Sequence, residues 1–260
     1  MSVFNAPEPE DRPRTEARKT FHDNLDQLSH DLVAMGSMVV ELIPRGTQIL
    51  LAGDLVGAEE LIIGDDELDL ASTDAEERCA QIIALQAPVA GDLRRVITCM
   101  HLISEIERSG DLVTNIAKGT RRLHGQAIDP KLRGYITRMG EEAQRLFRAA
   151  VDSFADEDEA LASALDDMDD NMDTLHGDYI QALFESRHSQ GAELQSAVQL
   201  ALIGRYYERI GDHAVNIAER VQYMTAGWLP EHTGAARARA RHAGETNADP
   251  AGPRSGADEA

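Results

Sequence analysis

Residues 107–115 read ERSGDLVTN and residues 208–216 read ERIGDHAVN, one nonapeptide frame used twice with Glu, Arg, Gly, Asp and Asn in register at an offset of 101. A second acidic cluster repeats in the same order. Asp65-Asp66-x-x-Asp69, inside GDDELD, is echoed by Asp169-Asp170-x-x-Asp173 at an offset of 104, so a three-residue indel separates the two clusters. Two motifs repeated in one order are explained most economically by internal duplication. Whatever this chain folds into must therefore be buildable twice.

The periodicity says what the unit is. Leu25, Leu28, Leu32, Met35, Val39 and Leu42 form a helical stripe that runs up to Pro44, where the helix should kink or end, unless it continues to Ala52. A second segment spans about Val56 to Leu85 and stops at Ala87-Pro88. A third, starting near Gly91-Asp92, carries Leu93, Val96, Ile97, Met100, Ile103, Ile106 and Val113 up to about His124. After the breakers GQAIDP the grammar repeats, with helices from about Lys131 to Phe154, Glu157 to Arg187 and, past a break at HSQG, Ala192 to Ala226. Aromatic residues make up only 4% of the chain, and the helix formers Ala, Leu, Glu and Arg are abundant. The expected fold is all-α, a tandem repeat of two three-helix bundles with six long helices and disordered tails. The expected division is a tail at 1–17, a first repeat at 18–126, a second at 127–228 and a tail at 229–260, both tails being too poor in large apolar residues to offset their ordering entropy.

Charge excludes some functions. The formal net charge of −21, from 46 acidic and 25 basic residues, repels phosphate backbones and anionic membranes, so no nucleic-acid partner is expected. No segment approaches the uninterrupted apolar length of a membrane span, and any membrane contact is expected through partners. Cys79 and Cys99 lie in apolar helical patterns and read as reduced core residues of a cytoplasmic chain.

The repeated acids carry the chemistry. On a helix, Glu107 and Asp111 are neighbours on one face, with Asn115 a turn further on, and Glu208, Asp212 and Asn216 repeat the arrangement. On the preceding helices, Asp66 shares a face with Asp69, and Asp170 with Asp173. Carboxylates held side by side need a cation over them. An arginine (Arg108 or Arg209, Arg94 or Arg205) could supply it as a surface ion pair, or a metal ion could, since four carboxylates and an amide make an all-oxygen set suited to Mg²⁺, Mn²⁺, Ca²⁺ or iron rather than a closed zinc site. Spacing leaves both readings open. The mid-helix glycines Gly110 and Gly211 imply close helix approach beside the acids.

Competing motifs fail on inspection. Asp65-x-Glu67-x-Asp69 with Glu76 mimics an EF-hand loop, but Leu70 stands where Gly is required. Glu185-Ser-Arg-His188 matches half of a di-iron bundle motif that the helical core does not supply twice. His101 and His213 read as helix-face residues. No P-loop, GxSxG elbow or HExxH helix occurs.

Two three-helix units, each with D-D-x-x-D on the second helix and E-R-x-G-D-x-x-x-N on the third, resemble the PhoU family of phosphate-uptake regulators. IIALQAPVAGDLR at 82–94 is similar to that family's link between second and third helices. The resemblance covers about residues 20–228. It implies a cytoplasmic, usually homodimeric accessory protein that couples a phosphate ABC transporter to a sensor histidine kinase and represses phosphate-starvation genes when phosphate is plentiful. It also implies divalent or iron cations (Fe, Mn, Mg or Zn) held through Glu107/Asp111 and Glu208/Asp212. The second repeat departs at Gln195, where the first has Arg94, and lacks a match to Pro88. A carboxylate-bridged metalloenzyme and a metal-free helical scaffold are the alternatives. No general base or nucleophile stands beyond the candidate ligands, which weighs against an enzyme.

Overall fold

The computed structural model describes residues 12–190 and 194–227; residues 1–11 of the expected amino-terminal tail and the whole expected tail at 229–260 lie outside the described residues. Six helices follow one another: α1 Arg12–Ala52, α2 Leu55–Gln86, α3 Ala90–Arg122, α4 Pro130–Ala155, α5 Glu159–Gln190 and α6 Leu194–Ala226. Among the described residues there is no strand, as the helical periodicity requires.

The helix starts are chemically marked. Asp54 Oδ1 accepts from the amides of Val56 and Gly57 at 3.1 and 3.0 Å, satisfying donors that the first turn of α2 leaves free. Asp129 caps α4 through the Lys131 amide at 2.8 Å, with Pro130 in the first turn where its missing N–H costs nothing. Asp158 accepts from Ala160 and Leu161, so α5 begins two residues later than the periodicity suggested, after Glu157 turns at φ 51°. Two further boundaries differ. α1 starts at Arg12, inside the expected tail, and α5 runs through the expected HSQG break as far as Gln190.

Pro44 does not end α1. A proline in mid-helix leaves the carbonyl four residues earlier without its amide donor. Here that carbonyl is Val40's, and the Gln144 side-chain amide on α4 donates to it at 3.0 Å. The second repeat thus repairs a break that the first repeat's sequence would otherwise impose.

Each repeat is a three-helix unit, and the two share one core. α1 packs on α2, α3 and α4; α4 packs on α5 and α6; α3 packs on α6. Helices α1, α3, α6 and α4 close a central ring, with α2 and α5 laid over opposite edges. The α1–α4 contact is reciprocal. A Cβ on Gly36 would meet Val151 Cγ2 at 2.6 Å, and one on Gly140 would meet Thr47 Oγ1 at 2.5 Å. Since 140 and 151 are the counterparts of 36 and 47 at the offset of 104, the repeats are related by an approximate twofold axis through this crossing.

Two buried tyrosine hydroxyls are paired. The fully buried Tyr207 hydroxyl lies 2.8 Å from Thr47 Oγ1, which donates to the Ile43 carbonyl at 2.9 Å when its proton points there. Tyr179 donates to the Leu200 carbonyl at 2.8 Å, its ring filling the space beside Gly204. Cys79 and Cys99 are buried and unbridged, and burial pushes their thiols up to about 11 and about 12. No helix among the described residues is long and apolar enough to cross a membrane.

Candidate functional site

In each repeat the D-D-x-x-D helix packs beside the helix with the glycine-containing acidic motif, because Gly110 and Gly211 let it come close. Leu68 sits where a Cβ on Gly110 would be, and Asp169 Oδ1 lies 2.5 Å from the Cβ position of Gly211. The close approach read from the sequence is therefore present twice. Different atoms fill the two clefts.

In the first repeat the acids of α2 and α3 face one another. Burial raises the Asp65 carboxyl, and Asp111 and Asp69 push it further, while the Thr114 hydroxyl and Lys118 oppose the shift. Burial also raises Glu107, again helped by Asp111, Asp69 and Glu76 and opposed by Arg108. Asp69 and Asp111 are thus in the cluster, with their side chains exposed. Asp66 is exposed, and its neighbour Asp65 is the residue whose carboxyl feels the α3 acids. Asn115 is half-buried a turn along α3.

The second repeat holds its acids more deeply. Burial lifts Asp169 to about 6, with Asp173, Asp212, Asp166 and Glu142 adding to the shift. Glu208 is only 9% exposed, and Arg205 one turn earlier on α6 forms an ion pair with it and reaches Asp212 at 3.9 Å. Burial raises Glu142 on α4, but hydrogen bonds from Arg145 and Asn171 outweigh it and leave the carboxyl below its usual range. Asp169 Oδ1 and Glu208 Oε2 are buried without a hydrogen-bond partner. Such orphaned oxygens cost free energy unless a cation or donor reaches them. Asp170 is exposed, matching Asp66 in the other half.

Asn216 sits elsewhere. Its amide donates to Glu105 Oε2 on α3 at 3.0 Å, and the same oxygen lies 2.6 Å from His213 Nδ1. Burial raises Glu105, but these two hydrogen bonds and the nearby Arg108 more than reverse it, so the carboxyl titrates below its usual range. The network crosses between the repeats at the α3–α6 contact. His213, 4% exposed, is held by a carboxylate of the other half, which spacing within one helix could not reveal.

As the side chains stand, no group of three or more His, Cys, Asp or Glu residues among the described ones could hold a metal ion. The donor chemistry of the second face nonetheless fits a hard cation, because two buried carboxylate oxygens there lack partners and every donor is oxygen. The residues missed from the sequence are Asp65, Asp169, Glu105 and Glu142. Asp65 and Asp169 were within reach of pattern reading, because each is four residues from the last acid of its cluster and so shares its face.

Six helices arranged as two similar three-helix units, with acids facing each other across the second and third helix of each, define a tandem helical-repeat protein. The family model described as the PhoU domain matches residues 32–120 and 136–221, once in each unit. The chain belongs to the PhoU family. It is 36% identical over 215 residues to the phosphate-specific transport system accessory protein PhoU homolog 1 of Mycobacterium leprae, covering 82% of this chain and 96% of that protein. It is 34% identical to the corresponding homolog of Aquifex aeolicus, covering 80% and 94%. The crystal structure of PhoU from Pseudomonas aeruginosa matches with a TM-score of 0.76 and 27% identity, covering 80% of this chain and 100% of that one. The phosphate transport system regulatory protein PhoU of Streptococcus pneumoniae matches with a TM-score of 0.74 and 25% identity, covering 80% and 98%.

Proposed function

We propose that this chain is a non-enzymatic, cytoplasmic negative regulator of phosphate uptake and of the phosphate-starvation response. It couples a phosphate ABC transporter to a sensor histidine kinase, working as a homodimer that meets the membrane only through those partners. The observation that carries the reading is the match of both three-helix units to the PhoU domain, together with relatives named as accessory proteins of phosphate-specific transport along nearly their whole length.

The acidic faces give that regulator cation-capable surfaces. Asp65, Asp69, Glu107 and Asp111 would hold an oxygen-seeking cation such as Mg²⁺, Mn²⁺ or iron on the first face, and Asp169, Asp173, Glu208 and Asp212 on the second. A bound cation would offset the mutual repulsion of these carboxylates and stiffen the helix pair. The metal-free scaffold is favoured locally by the Arg205–Glu208 ion pair, which already supplies one positive charge to the second face.

Deleting the gene and following a phosphate-starvation reporter in high phosphate tests the regulatory reading. Derepression is expected, and continued repression would sink it. The partner reading is tested by co-purification with the transporter ATPase and the kinase from cross-linked cells, where recovery of neither partner counts against it.

A further inference from the structure

The two acidic faces are built on the same motif but are not electrostatically equivalent, and the second alone carries a direct Arg205–Glu208 ion pair among the described contacts. Arg205 pairs with Glu208 and approaches Asp212. Its charge also adds to the lowering that burial imposes on the imidazole of His176 on α5. The guanidinium is thus a fixed part of the acidic cluster on α6.

In the first repeat the counterpart of Arg205 is Ser104, and that of His176 is Ser72, whose hydroxyl is buried without a partner. No guanidinium can reach Glu107 from either position. On the first face Arg108 and Lys118 of α3 are only the smallest opposing influences on Glu107 and Asp65, whereas on the second Arg205 forms a direct ion pair with Glu208.

We propose that Arg205 is a tethered counter-ion that competes with divalent cations for the second face and so makes the two faces unequal in cation affinity. The inference rests on the cation-binding reading above. Three observations support it. Glu208 is nine-tenths buried with Oε2 unpartnered, which marks a place for a further positive ligand. Asp169 Oδ1 is likewise buried and unpartnered, on the facing helix. The Arg205 side chain is 48% exposed, so it can swing into solvent when a doubly charged ion takes Glu208 and Asp212. Until it swings out, an incoming ion meets a cation already in place, and like-charge repulsion at this range weakens binding.

The test is Mn²⁺ titration followed by electron paramagnetic resonance on full-length chain stripped with chelator and then dialysed. Wild type is compared with Arg205→Met, Arg205→Gln, Arg205→Lys and the double variant Arg205→Met/Asp212→Asn, each checked for helicity by circular dichroism. Arg205→Met and Arg205→Gln should bind one Mn²⁺ about tenfold more tightly than wild type, a change of about 1.4 kcal/mol. Arg205→Lys, which keeps the charge, should resemble wild type, and the double variant should lose the gain. If wild type and both neutral variants bind Mn²⁺ identically, Arg205 is no competitor while the cation reading stands. If none of them binds Mn²⁺, both ideas fall.

Discussion

The side-chain amide of Gln144 donates to the Val40 carbonyl at 3.0 Å, taking the place of the backbone N–H that Pro44 lacks. Replacing Gln144 with Leu should destabilise the fold by about 1–3 kcal/mol, because a carbonyl loses its donor at the α1–α4 crossing. Introducing Pro44→Ala into that variant restores a main-chain donor to the same oxygen. Chemical denaturation of the four members of this cycle should show the second change recovering stability in the Gln144→Leu background and doing less in the wild type.

The raised Asp169 carboxyl sets a pH dependence. Its folded value of about 6 lies above the ordinary carboxylate value of 3.8, so the folded state binds this proton more tightly than the unfolded chain. The contribution is fully present below the unfolded value and is lost as pH rises through about 6. With chelator present, Asp169→Asn should therefore flatten the loss of stability between pH 4 and 6. It should also raise stability at pH 7 by on the order of 1 kcal/mol, a figure reduced for solvent screening of a half-exposed group. Thermal melts across that pH range read the effect.

Glu105 serves two donors from the other repeat, His213 and Asn216. Truncation to Ala would leave the buried imidazole unpartnered and should cost about 1–3 kcal/mol in urea unfolding. Because the Glu105 carboxyl is depressed in the folded state, its stabilisation is present above the unfolded carboxylate value and is lost as pH falls through the lower folded one. The penalty of Glu105→Ala should shrink correspondingly in strong acid.

Two mid-helix glycines, Gly64 on α2 and Gly211 on α6, should respond to alanine in opposite directions. Gly64 on α2 is exposed and has nothing within 4 Å of its Cβ position, so Gly64→Ala should stabilise by up to about 1 kcal/mol through helix propensity. Gly211→Ala would place a methyl 2.5 Å from Asp169 Oδ1 and must displace that carboxylate. Its melting temperature should fall, and Asp169 should titrate closer to the ordinary carboxylate value by NMR.

The fold was open to reading because its signals are local. Periodicity and the Pro and Gly breakers placed six helices, although α1 starts earlier and α5 runs further than they indicated, and the nonapeptide echo paired them into two units. What escaped depends on contacts between units. Pro44 could not be assigned as harmless without knowing that Gln144 would face Val40. Asn216 looked like a ligand of its own helix face until α3 brought Glu105 to it. Within the acidic clusters, both i,i+3 and i,i+4 spacings put two aspartates on one side, and packing on α3 and α6 turned Asp65 and Asp169 inward while leaving Asp66 and Asp170 exposed.

The twofold relation at the α1–α4 crossing bears on what fusion makes available. Position 144 is the counterpart of position 40, so the Gln144–Val40 hydrogen bond joins a site to its own image. Two identical three-helix chains meeting on that axis would have to place the same residue on both sides, Gln against Gln or Val against Val. They would likewise carry Pro44 in both first helices, or in neither. Joining the halves in one chain removes that constraint, letting one half donate what the other lacks. The same licence applies at positions 104 and 205, where one half carries serine and the other arginine, so a single polypeptide presents two acidic surfaces that need not respond alike.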